Sequence, residues 1–320
     1  WLTFAWGVYR NLRVYDIVHV HHGLWPAFSA TLAATWAGKP IVCKIANSGE
    51  RFDFLRLKRK HLYGSLAVGL MKKRVDRFVW TSRAVFDDLL AMNIATEQLV
   101  YIPNGVEQPK FQRNTDNHEK SALVYLGSLT PKKNLSLLVE AIGNLPGAYQ
   151  EKLQLKMLGD GPQKASLIAL TKKYGLEDVI HFEGQIDDVD AYLRDSDVFV
   201  LPSLAEGLSN AALEAMSFGL PLILSLTGGN VDLIEIKESN PVIATEDGSL
   251  VVGTNGILAK LNCRQSLIEA IEYMIDHPSQ RVEMGNRSRE IIEAKYWLKD
   301  IVTQYESLYF QCCSPLAVHR

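Results

Sequence analysis

The sequence predicts an α/β chain of two doubly wound, parallel-sheet domains. Two observations carry that prediction. Short runs apolar on both faces alternate with longer helix-period segments, and a polar stretch with two prolines, 103–121, divides them into two series. The first series has strands at 16–20, 41–46, 77–80 and 99–102, with a helix from about Trp25. The second has strands at 122–127, 153–159, 179–184, 198–202 and 222–225, with helices over 134–144, 163–174, 208–218 and 230–238. Beyond about residue 262 the strands stop, and 265–276, 279–295 and 297–310 read as successive helices. The expected domains are 1–108, 109–295, and a C-terminal helix with tail, 296–320, packing back towards the first domain. A crevice between two such sheets takes its ligand outside the C-terminal strand ends.

Composition narrows the classes. The chain has 320 residues, 47% apolar and 22% charged, which suits two folded domains and excludes disorder. A net charge of −2 gives no global attraction for nucleic acid. Cys43, Cys263, Cys312 and Cys313 form no C-x-x-C pair, so a reducing compartment is the default. The apolar stretch 12–39 is broken by His19, His21, His22, Gly23 and Pro26 and is no membrane span. The chain starts at Trp1 with no charged leader, and a missing beginning is expected. The expected location is the cytoplasm, with peripheral contact at the inner face of the membrane as the variant of that reading.

The most informative stretch is LPSLAEGLSNAALEAMSFGLPLI (201–223). A strand ends at Pro202, a short loop carries Glu206 and Gly207, and a helix starts at about Leu208. Helix starts leave N–H groups unpaired and carry partial positive charge, which suits a diphosphate. Two carboxylates flanking those donors match a sugar nucleotide, which has hydroxyls at both ends and charge between. The bland alternative is one acid favouring the helix dipole and another on a solvated face.

With this stretch, residues 15–310 resemble the retaining, GT-B-fold glycosyltransferases of the family 4 type, the glycosyl transferases group 1. The family's Glu-x7-Glu element is matched by Glu206 and Glu214. The resemblance implies that Glu214 holds the nucleotide ribose. It implies that Glu206, with the backbone of Gly207, Leu208, Ser209 and Asn210, holds the donor sugar and phosphate. LVYLGSLTPKKN (123–134) resembles the family's phosphate loop: Gly127 is in place, Lys133 occupies the lysine position, and Ser128 replaces an arginine. Lys133 would neutralise the leaving diphosphate, the alternative being an exposed lysine near a helix start. LKMLGDGP (155–162), with Gly159, borders the nucleotide by resemblance and reads equally as a plain turn. Gln185 and Ile186 would give backbone contacts to the base, while 224–234 and 255–261 resemble the glycine loop and last strand of the family. Glu206 and Lys133 are the expected catalytic residues. The implied donor is a UDP-sugar or GDP-sugar as co-substrate, with no metal and no cofactor. The implied acceptor is a glycan, a lipid-linked sugar or a small molecule.

The acceptor side departs from the family. His19 and His21 share one side of a strand, but no further ligand follows at metal-site spacing. His21, at the strand end, faces the cleft or packs at its rim. The family's histidine near residue 46 is replaced by Ala46-Asn47-Ser48-Gly49, leaving Ser48 and Gly49 as cleft-lining candidates. The family's first strand and its glycine-rich loop are not visible, so the first domain reads as incomplete. Segment 51–77 holds nine Lys/Arg against two Asp, with Leu55, Leu62, Leu66 and Leu70 at helical spacing. That is a basic amphipathic helix for a membrane surface or an ordinary domain helix.

Other classes fare worse. A nicotinamide dehydrogenase needs G-x-G-x-x-G, and Lys164 stands where the third glycine belongs. A GT-B sugar-nucleotide epimerase explains the glutamate pair less well. A non-catalytic nucleotide-sugar-binding remnant or partner subunit is the remaining alternative.

Overall fold

A computed structural model describes residues 2–110, 120–236, 242–245 and 248–314. Contacts divide the chain into two compact units. One comprises Trp1–Asn104, Glu206–Leu208 and Lys299–Arg320; the other comprises Gly105–Ala205 and Ser209–Leu298.

The first unit holds β1 (Val18–His21), β2 (Ile41–Ile45), β3 (Arg77–Trp80) and β4 (Leu99–Tyr101) in the order β1-β2-β3-β4, all parallel. Each strand is short; β2 is almost wholly buried and β3 is buried at its centre, while the edge strands β1 and β4 are partly exposed. On one face Cys43, Ile45 and Phe78 pack with Ala27, Ala30, Ala34 and Phe54. Alanines on helix Trp25–Ala37 let that helix lie close to the strands. On the other face Val42, Val79 and Ile102 pack with Ile301, Leu308 and Cys312 of helix Leu298–Cys313.

Segment 51–77 corrects the sequence reading. No single amphipathic helix forms: helices Asp53–Lys60 and Gly64–Arg74 are separated by a turn closed by Gly64 N–H donating to the His61 carbonyl (3.0 Å). Gly64 sits so close to the Leu57 carbonyl that a Cβ would overlap it, so the glycine permits the fold-back. Leu62 and Leu66 consequently point outward and do not join Leu55 on one buried face.

The second unit holds β5 (Ser121–Leu126), β6 (Leu153–Leu158), β7 (Ile180–Gly184), β8 (Val198–Leu201), β9 (Leu222–Ser225), β10 (Val242–Thr245), β11 (Gly248–Val252) and β12 (Gly256–Ala259). Their order is β10-β11-β12-β9-β8-β5-β6-β7. Pairing is parallel except at β10–β11 and β11–β12. The chain winds outward from β5 through β6 and β7, then returns to start the other half at β8. The β5–β8 junction is therefore the topological switch point, where loops diverge and leave room for a ligand. β10 and β11 were not expected from the sequence. The helix expected at 230–238 is shorter, Asn230–Leu233, and residues 237 and 238 lie outside the described residues.

The stretch 103–121 is partly fastened. Val106 exchanges backbone bonds with Tyr296 and Leu298 (both 2.9 Å), and 111–119 lie outside the described residues.

Candidate functional site

In the second unit the predicted donor loops cluster at the switch point. Gly127 directly follows β5 and its N–H donates to the Leu158 carbonyl (3.0 Å), and the Tyr125 hydroxyl reaches forward to the Ser128 carbonyl (2.9 Å). Gly159, after β6, has φ +134°, and a Cβ there would overlap the Gly127 carbonyl. The two strand ends thus approach with only backbone between them, which requires glycine. Asp160 accepts from Gly161 N–H (2.7 Å) and from Lys164 Nζ (3.0 Å); these bonds hold its carboxyl below the usual range. The Gly-Asp-Gly stretch is a self-bonded turn whose acid is already engaged.

Lys133 closes a 3-10 turn, Pro131–Lys133, that precedes helix Leu135–Gly143. Its side chain folds back: Cε lies 3.8 Å from where a Gly127 Cβ would stand. Leu204, in the loop after β8, donates its N–H to the Lys132 carbonyl (2.9 Å), and Thr227, after β9, donates its hydroxyl to the Leu204 carbonyl (3.3 Å). Three strand-end loops are stitched together at the junction. Ser128 is exposed. Gln185 and Ile186 directly follow β7, Gln185 exposed and Ile186 half-buried.

The helix after β8 runs Asn210–Ser217, two residues later than expected. Ser209 Oγ accepts from Ala212 N–H (3.3 Å) and so fixes the start. Glu214, one turn on, is half-buried and lines a cavity of about 330 Å³ with Asp190, Asn210, Ser217, Leu193 and Phe218. Burial first, and then the neighbouring Asp190 charge, push its carboxyl above the usual range. No described residue hydrogen-bonds or ion-pairs with that carboxylate, although Lys110 also lines the cavity. A half-buried, unmatched acid facing a cavity is a candidate ligand acceptor.

The remaining candidates lie in the first unit. Glu206 is only 7% exposed, and its carbonyl accepts from Ser48 Oγ (3.4 Å). A Cβ on Gly207 would overlap the Ala46 carbonyl, and the Leu208 carbonyl accepts from Asn104 Nδ2 (3.0 Å). Gly49 N–H donates to Asp88 (2.8 Å), a carboxyl raised by its burial. His21 stacks on His19 with ring centroids 4.6 Å apart, and burial and the Lys44 charge lower its pKa. His19 Nδ1 meets the Tyr309 hydroxyl at 2.6 Å, and burial drives its pKa down to about 4. Among the described residues no group of three His, Cys, Asp or Glu is placed to hold a metal ion.

Two residues escaped the sequence reading. Asp53 is fully buried and accepts from Gly23 N–H (2.9 Å) and Asn47 Nδ2 (3.0 Å), tying together the loops after β1 and β2. Asp190 shares the Glu214 cavity. Neither sits in a spacing pattern; an acid inside a basic, apolar segment was the one available signal for Asp53.

Residues 106–291 match the family described as Glycosyl transferases group 1, and residues 1–108 match Glycosyltransferase Family 4. The chain is 26% identical over 306 residues to the N-acetyl-alpha-D-glucosaminyl L-malate synthase of Bacillus anthracis, covering 92% of this chain and 74% of that protein. It is also 26% identical over 191 residues to an uncharacterized glycosyltransferase of Haemophilus influenzae; this covers 59% of the chain and 49%, about half, of that relative. The crystal structure of Anabaena Alr3699/HepE in complex with UDP superposes with a TM-score of 0.80 at 18% identity, over 96% of this chain and 82% of that one. The same protein in complex with UDP-glucose gives 0.79 at 20%, over 95% and 81%. The chain belongs to the glycosyl transferases group 1, and its fold is the GT-B fold of the family 4 type.

Proposed function

We propose that this glycosyltransferase moves a hexosyl unit from a UDP-sugar to an acceptor hydroxyl, retaining anomeric configuration and using no metal. The observation that carries the reading is Lys133 folded against Gly127 at the switch point, a cation beside backbone that a ligand can approach closely. In this reading Lys133 neutralises the leaving diphosphate, and Glu214 accepts from the ribose hydroxyls. The backbone at Gln185 and Ile186 meets the base, and Glu206 with the backbone of Gly207 to Asn210 holds the donor sugar and phosphate. Stabilising the leaving group does most of the chemical work, so no protein nucleophile is needed. UDP is favoured over GDP because HepE is a structural neighbour crystallised with UDP and UDP-glucose. His21, Ser48 and Gly49 serve the acceptor side, a glycan, lipid-linked sugar or small molecule. Among the described residues no disulfide joins the four cysteines, which supports a reducing cytoplasm.

The test is turnover. Incubated with a panel of UDP-sugars and hydroxyl acceptors, the protein is expected to release UDP and form an axial-retained product, read by proton NMR at the anomeric carbon. Binding of UDP with no release from any donor would favour the partner-subunit alternative.

A further inference from the structure

The inner sides of helices Asp53–Lys60 and Gly64–Arg74 are used up: Phe54, Leu57, Ala67, Val68 and Met71 are buried in the first unit's core. Their outer side carries a different set. Leu62 is 90% exposed, Leu66 73% and Tyr63 61%, and half-buried Leu70 lies one turn beyond Leu66 on helix Gly64–Arg74. Three large apolar side chains laid bare within five residues form a patch rather than scattered surface residues.

Basic residues stand before and after them on the two helices. Lys58, Arg59, Lys73 and Arg74 are exposed, and none joins an ion pair among the described residues. Both acids of the segment are engaged elsewhere. Asp53 is buried under Gly23 and Asn47, and Asp76 accepts from the Ile41 N–H (2.7 Å). The fold-back at Gly64 produces this arrangement, because it turns Leu62 and Leu66 away from the core and sets basic residues on both flanks. Exposed leucines flanked along the chain by uncompensated cations match a surface that is negative outside and apolar just beneath.

We propose that this turn docks on an anionic phospholipid bilayer, with Leu62, Tyr63 and Leu66 entering below the headgroups and the lysines and arginines resting on lipid phosphates. No helix among the described residues is long and apolar enough to cross a membrane, so the contact is with one leaflet. The surface belongs to the first unit alone, and the proposal stands independently of the donor reading.

Vesicle co-sedimentation of the full chain tests it, with vesicles of phosphatidylcholine alone and of phosphatidylcholine and phosphatidylglycerol in equal parts. The protein is expected to pellet with the anionic vesicles, far less with the neutral ones, and to be released by added salt. Lys58→Glu with Arg59→Glu should lower partitioning by tenfold or more, since one cation near such a surface is worth about fivefold. Leu62→Ser with Leu66→Ser should lower it by about tenfold at unchanged far-ultraviolet circular dichroism. Equal pelleting with both vesicle types, no pelleting, or wild-type partitioning of the leucine pair variant would each overturn the proposal. So would a dimer in sedimentation, abolished by the leucine pair, in a protein that ignores vesicles.

Discussion

A carboxylate half withdrawn from water, with no hydrogen-bond donor among the described residues, is held at a cost, and Glu214 is such a group. Burial and Asp190 raise its pKa, so between the usual carboxylate value and the raised one the folded state binds more protons than the unfolded state. Stability therefore falls as pH rises through that window and is unaffected below the model-peptide value of about 4.5. Glu214→Gln removes the ionised form. Thermal melts should show the variant more stable than wild type at neutral pH, with the gain vanishing as pH falls below the ordinary carboxylate value. The same variant should lose about tenfold to a hundredfold in UDP affinity by calorimetry, the worth of a charge-assisted hydrogen bond. Such a loss of stability is the usual trade at a functional residue, the role proposed for Glu214. Glu214, Lys133 and Gly127 were legible because their neighbours in the sequence form a recognisable strand, loop and helix. Asp53 and Asp190 were not, because each acts on a partner more than twenty residues away.

At the scale of elements, the glycine that joins two strand ends matters more than its size suggests. Gly159→Ala meets both a φ of +134° and the Gly127 carbonyl, so β5 and β6 would have to part at their C-terminal ends. A loss of about 2–4 kcal/mol is expected from denaturant midpoints. Gly147→Ala, with nothing within 4 Å of the new atom, should change stability by under about 1 kcal/mol. The alternation of apolar runs and amphipathic helices located β1 to β9, because a strand covered on both faces leaves an unmistakable apolar run, while β12 was expected only from the family resemblance. β10 and β11 escaped because they pair antiparallel, with no helix between them to mark the alternation. The fold-back in 51–77 escaped for another reason: leucine spacing reports a face, and only the Gly64–Leu57 approach shows that the chain turns before that face is complete.

For the molecule as a whole, net charge hides a division. The chain carries −2, yet 51–77 concentrates nine cations against two acids, so the remainder is strongly acidic. An average near neutrality excluded nucleic acid as a global partner, while it said nothing of a local surface for anionic lipid. The proposed nucleotide site would draw on something different, local cations and helix-start amides where a parallel sheet changes direction. The strand-and-helix order of the second unit was anticipated from the sequence, whereas the burial of Glu206 required coordinates. The most direct measurement is isothermal titration of UDP and of uridine into wild type and Lys133→Ala. The account predicts that the variant loses about tenfold to a hundredfold in UDP affinity, the worth of a charge-assisted contact to phosphate, and less than about twofold in uridine affinity. Equal losses for the two ligands, or an unchanged UDP affinity, would contradict it.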